Sequence, residues 1–465
     1  MIDRDVLDRA CVLALKRGGD FADIFVERKT TDNLKLEDGK IESFTTGYDA
    51  GAGLRVIRGA STFYVYTDIL SPDSILESAE ALAEAVSARG DDNPVRAIEQ
   101  QAKSTAPVIH KVEQEPGNVS QNAKAEIARQ AEAAARAAGA DIIQVTVSLA
   151  DSRQEVSIVN SDGMFAEDVR VLTRIFVLVV AKRGDKVESG YEAPGLMGGF
   201  ELFDEHDPKK VGATAAKRAL MLLDAAPAPA GNMTVVLGNG TGGVLFHEAS
   251  GHGLEADAVR KGASVFAGKV GQKVASSVVS AADDPSLPNR WGSFAFDDEG
   301  TPAAENLLIE NGILKGFMFD RFNARLAGKP LTSNGRRQSF RHIPVPRMTN
   351  TYIKPGGATF DEMLSGIKTG FYAKSLGGGE VNPANGDYVF GVTEGYLIAN
   401  GKISAPVKGA VLVGNGPRTL MDIDLVGDDL DFDAGMCGKA GQSVPAGTGQ
   451  PSLRIRELTV GGTGV

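Results

Sequence analysis

The chain has 465 residues, 42% of them hydrophobic and 23% charged, which is too long for one ordinary core and predicts two or three soluble domains. Its formal net charge of −11 excludes a broad basic face, so neither direct nucleic-acid binding nor attachment to anionic membranes is expected; an unfolded or basic peptide suits such a surface better. Two cysteines, Cys11 and Cys437, cannot make a disulfide framework and fit a reducing compartment.

At the N-terminus, Asp3, Arg4, Asp5 and Asp8 interrupt any apolar signal-peptide core, while Ile2, Val6, Leu7, Ala10, Cys11 and Ala14 recur at helical spacing. The longest strongly apolar run, Ile175 to Ala181, is far short of a membrane span, and a cytoplasmic protein is expected. Residues 5–44 read as a helix, a strand (GGDFADIFVERK) and a hairpin turning at Asp38-Gly39; residues 123–165 repeat the order, with a strand in AGADIIQVTVSL and a turn at Asp162-Gly163. A further strand and hairpin follow in each, and each closes on a helix, near 72–88 and 208–223. The fold class expected is therefore α+β: two N-terminal units related by duplication, with helices on antiparallel sheet, then a β-rich C-terminal domain. Pro-bearing stretches mark the boundaries, giving 1–93, a linker at 94–120, 121–224, an Ala-Pro linker at 225–232, and 233–465. The last unit is dense in Gly and turns at Asn311-Gly312 and Asn400-Gly401, which suggests a closed or two-layer β domain.

The chemistry gathers after the apolar strand MTVVL (233–237). VLFHEASGHGLEADAV reads as a helix and carries H-E-x-x-x-H at His247, Glu248 and His252. Two His four residues apart share a helix face, as in the H-E-x-x-H zinc helix, but five apart they point roughly 140° apart. A π-bulge, or a helix broken at Gly251, restores convergence; Gly251 and Gly253 flank His252 where the backbone can loosen. A catalytic zinc wants three protein ligands and an open position. The third is either His342, between Arg and Pro residues, or Cys437, in the Gly-rich AGMCGKAG where backbone can approach an ion and a thiolate binds zinc strongly. The glycines at 377–379 read as shaping a substrate groove or as turns.

HEASGHGLEAD, LGGGEVNPANGDYVFG and the terminal GMCGKAGQSVPAGTGQPSLRIRELTVGG together resemble the TldD/PmbA family, its TldD branch in particular, and DGKIESF and AGAGLRV extend the likeness over nearly the whole chain. The resemblance implies a zinc metalloprotease whose ligands are His247, His252 and Cys437, acting on small unfolded peptides in peptide maturation or degradation. It also implies a paired sister subunit of the TldE (PmbA) type, as a heterodimer, or else a homodimer. Glu248 then acts as general base on a zinc-polarised water. Two rivals remain. A non-catalytic scaffold subunit, to which the family's association with DNA gyrase belongs, leaves the intact His-Glu-His set without purpose. A dinucleotide enzyme built on Gly238-Asn239-Gly240-Thr241-Gly242-Gly243 lacks the acidic residue roughly twenty positions on that the fingerprint needs.

Overall fold

The computed structural model describes residues 2–87, 99–108, 110–382 and 384–462; the expected first boundary, at 93/94, lies outside them. Helix α1 (Arg4–Ala14) starts where the Asp3 side chain accepts from the Asp5 N–H, and it buries Leu7, Ala10, Cys11 and Ala14, the apolar face read from the sequence. Strands β1 (Phe21–Glu37), β2 (Lys40–Arg58) and β3 (Ser61–Thr67) form a meander, closed by helix α2 (Pro72–Ser87). The order recurs in helix α3 (Gln121–Ala137), strands β4 (Ile142–Asn160), β5 (Phe165–Arg183) and β6 (Lys186–Glu192), a single turn α4 (Leu202–Glu205), and helix α5 (Pro208–Asp224).

The two units share one sheet in the order β3-β2-β1-β4-β5-β6. β1 and β4 pair antiparallel from Asp23↔Asn160 to Glu37↔Thr146, so a two-fold-like seam joins the repeats. The short strands and separate hairpins expected from the sequence are fused here into continuous strands of 17 to 19 residues. The polar stretch Lys29–Asn33 holds no Gly or Pro to end the strand, and its backbone groups are satisfied on both sides by β2 and β4. Asp38 (φ 48°) and Gly39 (φ 80°) make the expected left-handed two-residue turn. At Asp162-Gly163 only the glycine is left-handed, and the loop between β4 and β5 is longer.

In the C-terminal domain, strands Thr369–Val381, Gly231–Leu237, Leu453–Gly461, Val411–Asn415 and Asp387–Ala399 pair in sequence, and the last returns to the first, closing a ring. Ala226–Pro227, in the expected Ala-Pro linker, pairs with Val407 and Lys408 and extends this sheet. A second sheet ends in Asn350–Ile353, Gln442–Gln450 and Asp431–Lys439, with Cys437 on its edge strand. One apolar cluster joins the two sheets and includes Leu237, Phe246, Leu412, Val444 and Cys437. The short helix carrying His247 packs into that cluster, which is why it stands despite its few turns.

The C-terminal domain is clamped to the N-terminal sheet. Phe340 lies over Gly51, where an added Cβ would stand 2.2 Å from the Phe340 ring. The Phe340 N–H donates to Glu27 (2.8 Å), and the Tyr64 hydroxyl donates to the Phe340 carbonyl (2.6 Å). Arg55, fully buried in β2, pairs with Asp23 and with Glu299 of the C-terminal domain (2.7 Å). No helix among the described residues is long and apolar enough to cross a membrane.

Candidate metal centre

The segment expected as one helix is three pieces. Helix Val244–Ala249 ends as Ser250 leaves the helical region (φ −136°, ψ −42°), a 3₁₀ turn spans Gly251–Leu254, and a short helix runs Ala256–Arg260. The break beside Gly251, rather than a π-bulge, brings the imidazoles together: the His247 and His252 rings meet edge to face, centroids 5.3 Å apart. Glycine is needed around the break because the space is taken. A Cβ on Gly251 would lie 2.3 Å from Met348 Sδ, and one on Gly253 would lie 3.0 Å from Phe266.

Cys437 reaches the same point from a distant strand. The ligand atoms of His247, His252 and Cys437 all lie within 4.8 Å of one another. Cys437 Sγ is 3.7 Å from His252 Nε2. Tetrahedral zinc with ordinary Zn–S and Zn–N lengths separates such atoms by about 3.6 Å. His247 Nδ1 is buried with no hydrogen-bond partner. Two imidazoles and a thiol converging on one point, a soft donor set at metal-ligand spacing, fit a transition metal. His342 is not among them; its Nδ1 is 2.9 Å from Ser339 Oγ, in the loop that carries Phe340.

Electrostatics prepare the ligands. Burial alone would push the Cys437 thiol up, but His247 and His252 hold it well below its ordinary value, a shift that favours the thiolate. Burial opposes charge on His252, yet Glu255 and Cys437 raise it well above the usual imidazole range. Glu255 is fully buried, which would raise its carboxyl, but His252 and Lys439 bring it down to about 2. His252 Nδ1 donates to Glu255 Oε2 (2.9 Å), which orients the ring and turns Nε2 toward Cys437 Sγ. Lys439 Nζ braces Glu255 (3.0 Å), Asp257 (2.6 Å) and the Pro346 carbonyl (2.9 Å). Fully buried Arg347 donates to the Cys437 carbonyl and holds its strand. Glu255, Lys439 and Arg347 escaped the sequence reading; only Glu255, three residues beyond His252, carried a local signal.

Glu248 follows His247 directly, and its Oε2 lies 3.6 Å from His252 Nε2. It opens on a cleft of about 570 Å³ that Glu380 and Val381 also line. The glycine-rich loop before the helix is no phosphate cradle. Cβ atoms on Gly242 and Gly243 would stand 2.3 Å from Gln450 Nε2 and 2.6 Å from the Gly449 nitrogen, so strand Gln442–Gln450 fills the space a pyrophosphate needs. Gly377–Gly379 form no turn. They lie within Thr369–Val381, where the pairing shifts register and a Cβ on Gly379 would meet the Phe390 ring at 2.1 Å.

Fold and centre define a protein that gathers two imidazoles, a thiolate and a free carboxylate around one point. Models of three PmbA/TldA metallopeptidase domains match the chain: domain 1 at 22–88, the central domain at 114–223 and the C-terminal domain at 230–462. The chain is 41% identical over 461 residues to a metalloprotease TldD homolog of Haemophilus influenzae, covering 96% of this chain and 94% of that one. It is 30% identical to a zinc metalloprotease TldD homolog of Saccharolobus solfataricus, over 96% of this chain and 97% of that one. The crystal structure of TldE from Thermococcus kodakarensis shares the fold, with TM-score 0.76 and 19% identity over 98% of this chain and 99% of that one. The chain belongs to the PmbA/TldD family of metallopeptidases.

Proposed function

We propose that this chain hydrolyses peptide bonds in small unfolded peptides, with zinc held by His247, His252 and Cys437 and with Glu248 as general base. The observation that carries this is the convergence of those three donor atoms beside a half-exposed carboxylate on an open cleft. When bound, zinc supplies Lewis acidity toward water and the scissile carbonyl. The Glu248 carboxylate takes the proton of the attacking water and returns it to the leaving amine nitrogen. A thiolate ligand donates more charge than a third imidazole, which weakens that acidity and leaves more of the proton transfer to Glu248. His252 is kept in one tautomer by Glu255, and Lys439 keeps Glu255 ionised.

An extended peptide can pair through its main chain with a sheet edge, which reads little side-chain sequence. The hairpin strand Thr369–Val381 brings Glu380 and Val381 to the cleft wall, within reach of such a peptide. The likeness to TldE supports pairing with a sister subunit of that type, and cytoplasmic residence follows the paucity of cysteine and the free thiols.

Glu248→Gln tests the core of the proposal. It keeps about one zinc per chain while hydrolysis of a short disordered peptide falls at least roughly a hundredfold. Near-normal turnover in that variant assigns the proton to another residue.

A further inference from the structure

A second cavity, of about 270 Å³, lies between the N-terminal sheet and the hairpin that carries Cys437. Paired residues on antiparallel strands share a face, so Met436 and Pro445 look away from Cys437, into this cavity, which Val444 also borders. The cavity and the cleft beside His252 share no lining residue.

Charge in the cavity is unbalanced. Lys29, Arg170, Arg336 and Arg337 line it, against the single carboxylate of Asp298. Asp298 is already engaged, by Arg170 (2.6 Å) and by the Arg337 N–H (2.7 Å). Arg337 gives its two terminal nitrogens to the Tyr64 hydroxyl and the Asp298 carbonyl, and its Nε is buried without a partner. Arg336 is only 6% exposed, and its one hydrogen bond runs to the Met348 carbonyl (2.6 Å). Among the described residues, neither Arg336 nor Lys29 is within ion-pair distance of an acid. Burial, with Arg347 and Arg170 nearby, pulls the Arg336 guanidinium down to about 10 although Asp298 opposes the shift. A guanidinium kept this dry without a carboxylate is a fork awaiting an oxyanion.

The rest of the lining is apolar and aromatic. Phe294 is buried beneath Arg170 and Arg336, which lie over its ring at 5.3 and 5.4 Å, while Trp291 and Met436 line the cavity, and the Trp291 indole N–H is spent on the Gly435 carbonyl (2.8 Å), leaving that ring as a hydrophobic wall. A cavity somewhat below the usual pocket range of about 300–1,000 Å³, at a domain interface, with a few convergent polar groups, admits one compact ligand and no peptide.

We propose that this cavity binds a small organic carboxylate of about amino-acid size. Arg336 and Lys29 grip the carboxylate, and Trp291 and Met436 receive the apolar body.

Trp291 is the only tryptophan in the chain, so its fluorescence reports occupancy directly. The full-length protein is titrated with 3-phenylpropionate, with the uncharged 3-phenylpropionamide and with inorganic phosphate. A saturable change with phenylpropionate is expected, at least roughly tenfold tighter than with the amide or with phosphate. Arg336→Met weakens it at least about tenfold, and Lys29→Gln, on a half-exposed position of β1 that tolerates substitution, weakens it severalfold. No saturable change up to about 20 mM, equal binding of acid and amide, phosphate binding as tight as phenylpropionate, or unchanged affinity in Lys29→Gln and in folded Arg336→Met each overturns the proposal.

Discussion

Replacing Glu255 by Gln separates charge from shape at the metal centre. Glu255 Oε2 accepts from His252 Nδ1 (2.9 Å) and from Lys439 Nζ (3.0 Å) while fully buried. A glutamine keeps the volume and one acceptor oxygen, but its amide nitrogen is a donor and loses the charge that makes both bonds strong. A hydrogen bond to a charged group contributes about 1.5–3 kcal/mol, and about 1.4 kcal/mol is tenfold in an equilibrium constant. Losing the charge-assisted part of one such bond therefore weakens zinc binding roughly tenfold to a hundredfold, the range typical of residues that orient metal-bound imidazoles. The fold survives, because Lys439 keeps Asp257 at 2.6 Å and the Pro346 carbonyl at 2.9 Å. Competition with a chromophoric chelator measures the affinity, and near-ultraviolet circular dichroism of the metal-free protein checks the fold. An affinity within twofold of the native chain in a folded variant would show that Glu255 does not orient His252.

Cys437→Ser should lose zinc or hold it weakly, whereas His342→Ala should retain about one equivalent by elemental analysis; the reverse pattern would exchange their assignments. Asp320 caps helix Arg321–Ala327 by accepting from the Asn323 N–H (2.9 Å), and burial beside Glu299 pushes its carboxyl up to about 7. A carboxyl raised in the folded state binds its proton more tightly there than in the unfolded chain. Its contribution is therefore most favourable below the ordinary value of about 3.9 and is lost as pH rises through about 7. Asp320→Asn keeps an acceptor for the cap, so its melting temperature should gain on the native chain between pH 5 and 8; a constant difference across that window refutes the assignment. Gly243→Ala drives a methyl to 2.6 Å from the Gly449 nitrogen and should cost about 1–3 kcal/mol in chemical denaturation; an unchanged midpoint would mean the loop has slack.

Local signals carried much of the architecture. Asn311-Gly312 and Asn400-Gly401 turn with both residues left-handed, as their sequence demands. The H-E-x-x-x-H spacing exposed the conflict between helix geometry and a shared metal, and Ser250 with Gly251 resolves it. Strand length was illegible, since nothing in Lys29–Asn33 distinguishes a strand crossing from a strand end until β2 and β4 flank it. Lys439 and Arg347 were hidden for the same reason. Their partners lie 184 and 90 residues away in the chain, and only the pairing of Asp431–Lys439 with Gln442–Gln450 makes them neighbours of the metal ligands. The glycines of AGAGLRV were visible, but the cause was not: Phe340, from a loop that offered His342 as the more obvious feature, needs the space a side chain at Gly51 would take.

The ion pair from Arg55 to Glu299 has consequences for how the molecule can be taken apart. Arg55 is fully enclosed and has Asp23 on its own sheet, so the link to Glu299 is a shared commitment between parts that the sequence punctuates as separate. Severing the chain at the Ala-Pro segment would strand Glu299 next to Asp297 and Asp320, both fully or nearly fully buried, without the Arg55 guanidinium that offsets these crowded acids. The β-rich part, although it holds His247, His252 and Cys437, is thus not built to stand alone. The helices and long strands ahead of it supply the counter-ion of a buried acid in the β-rich part, so the two halves share one electrostatic core.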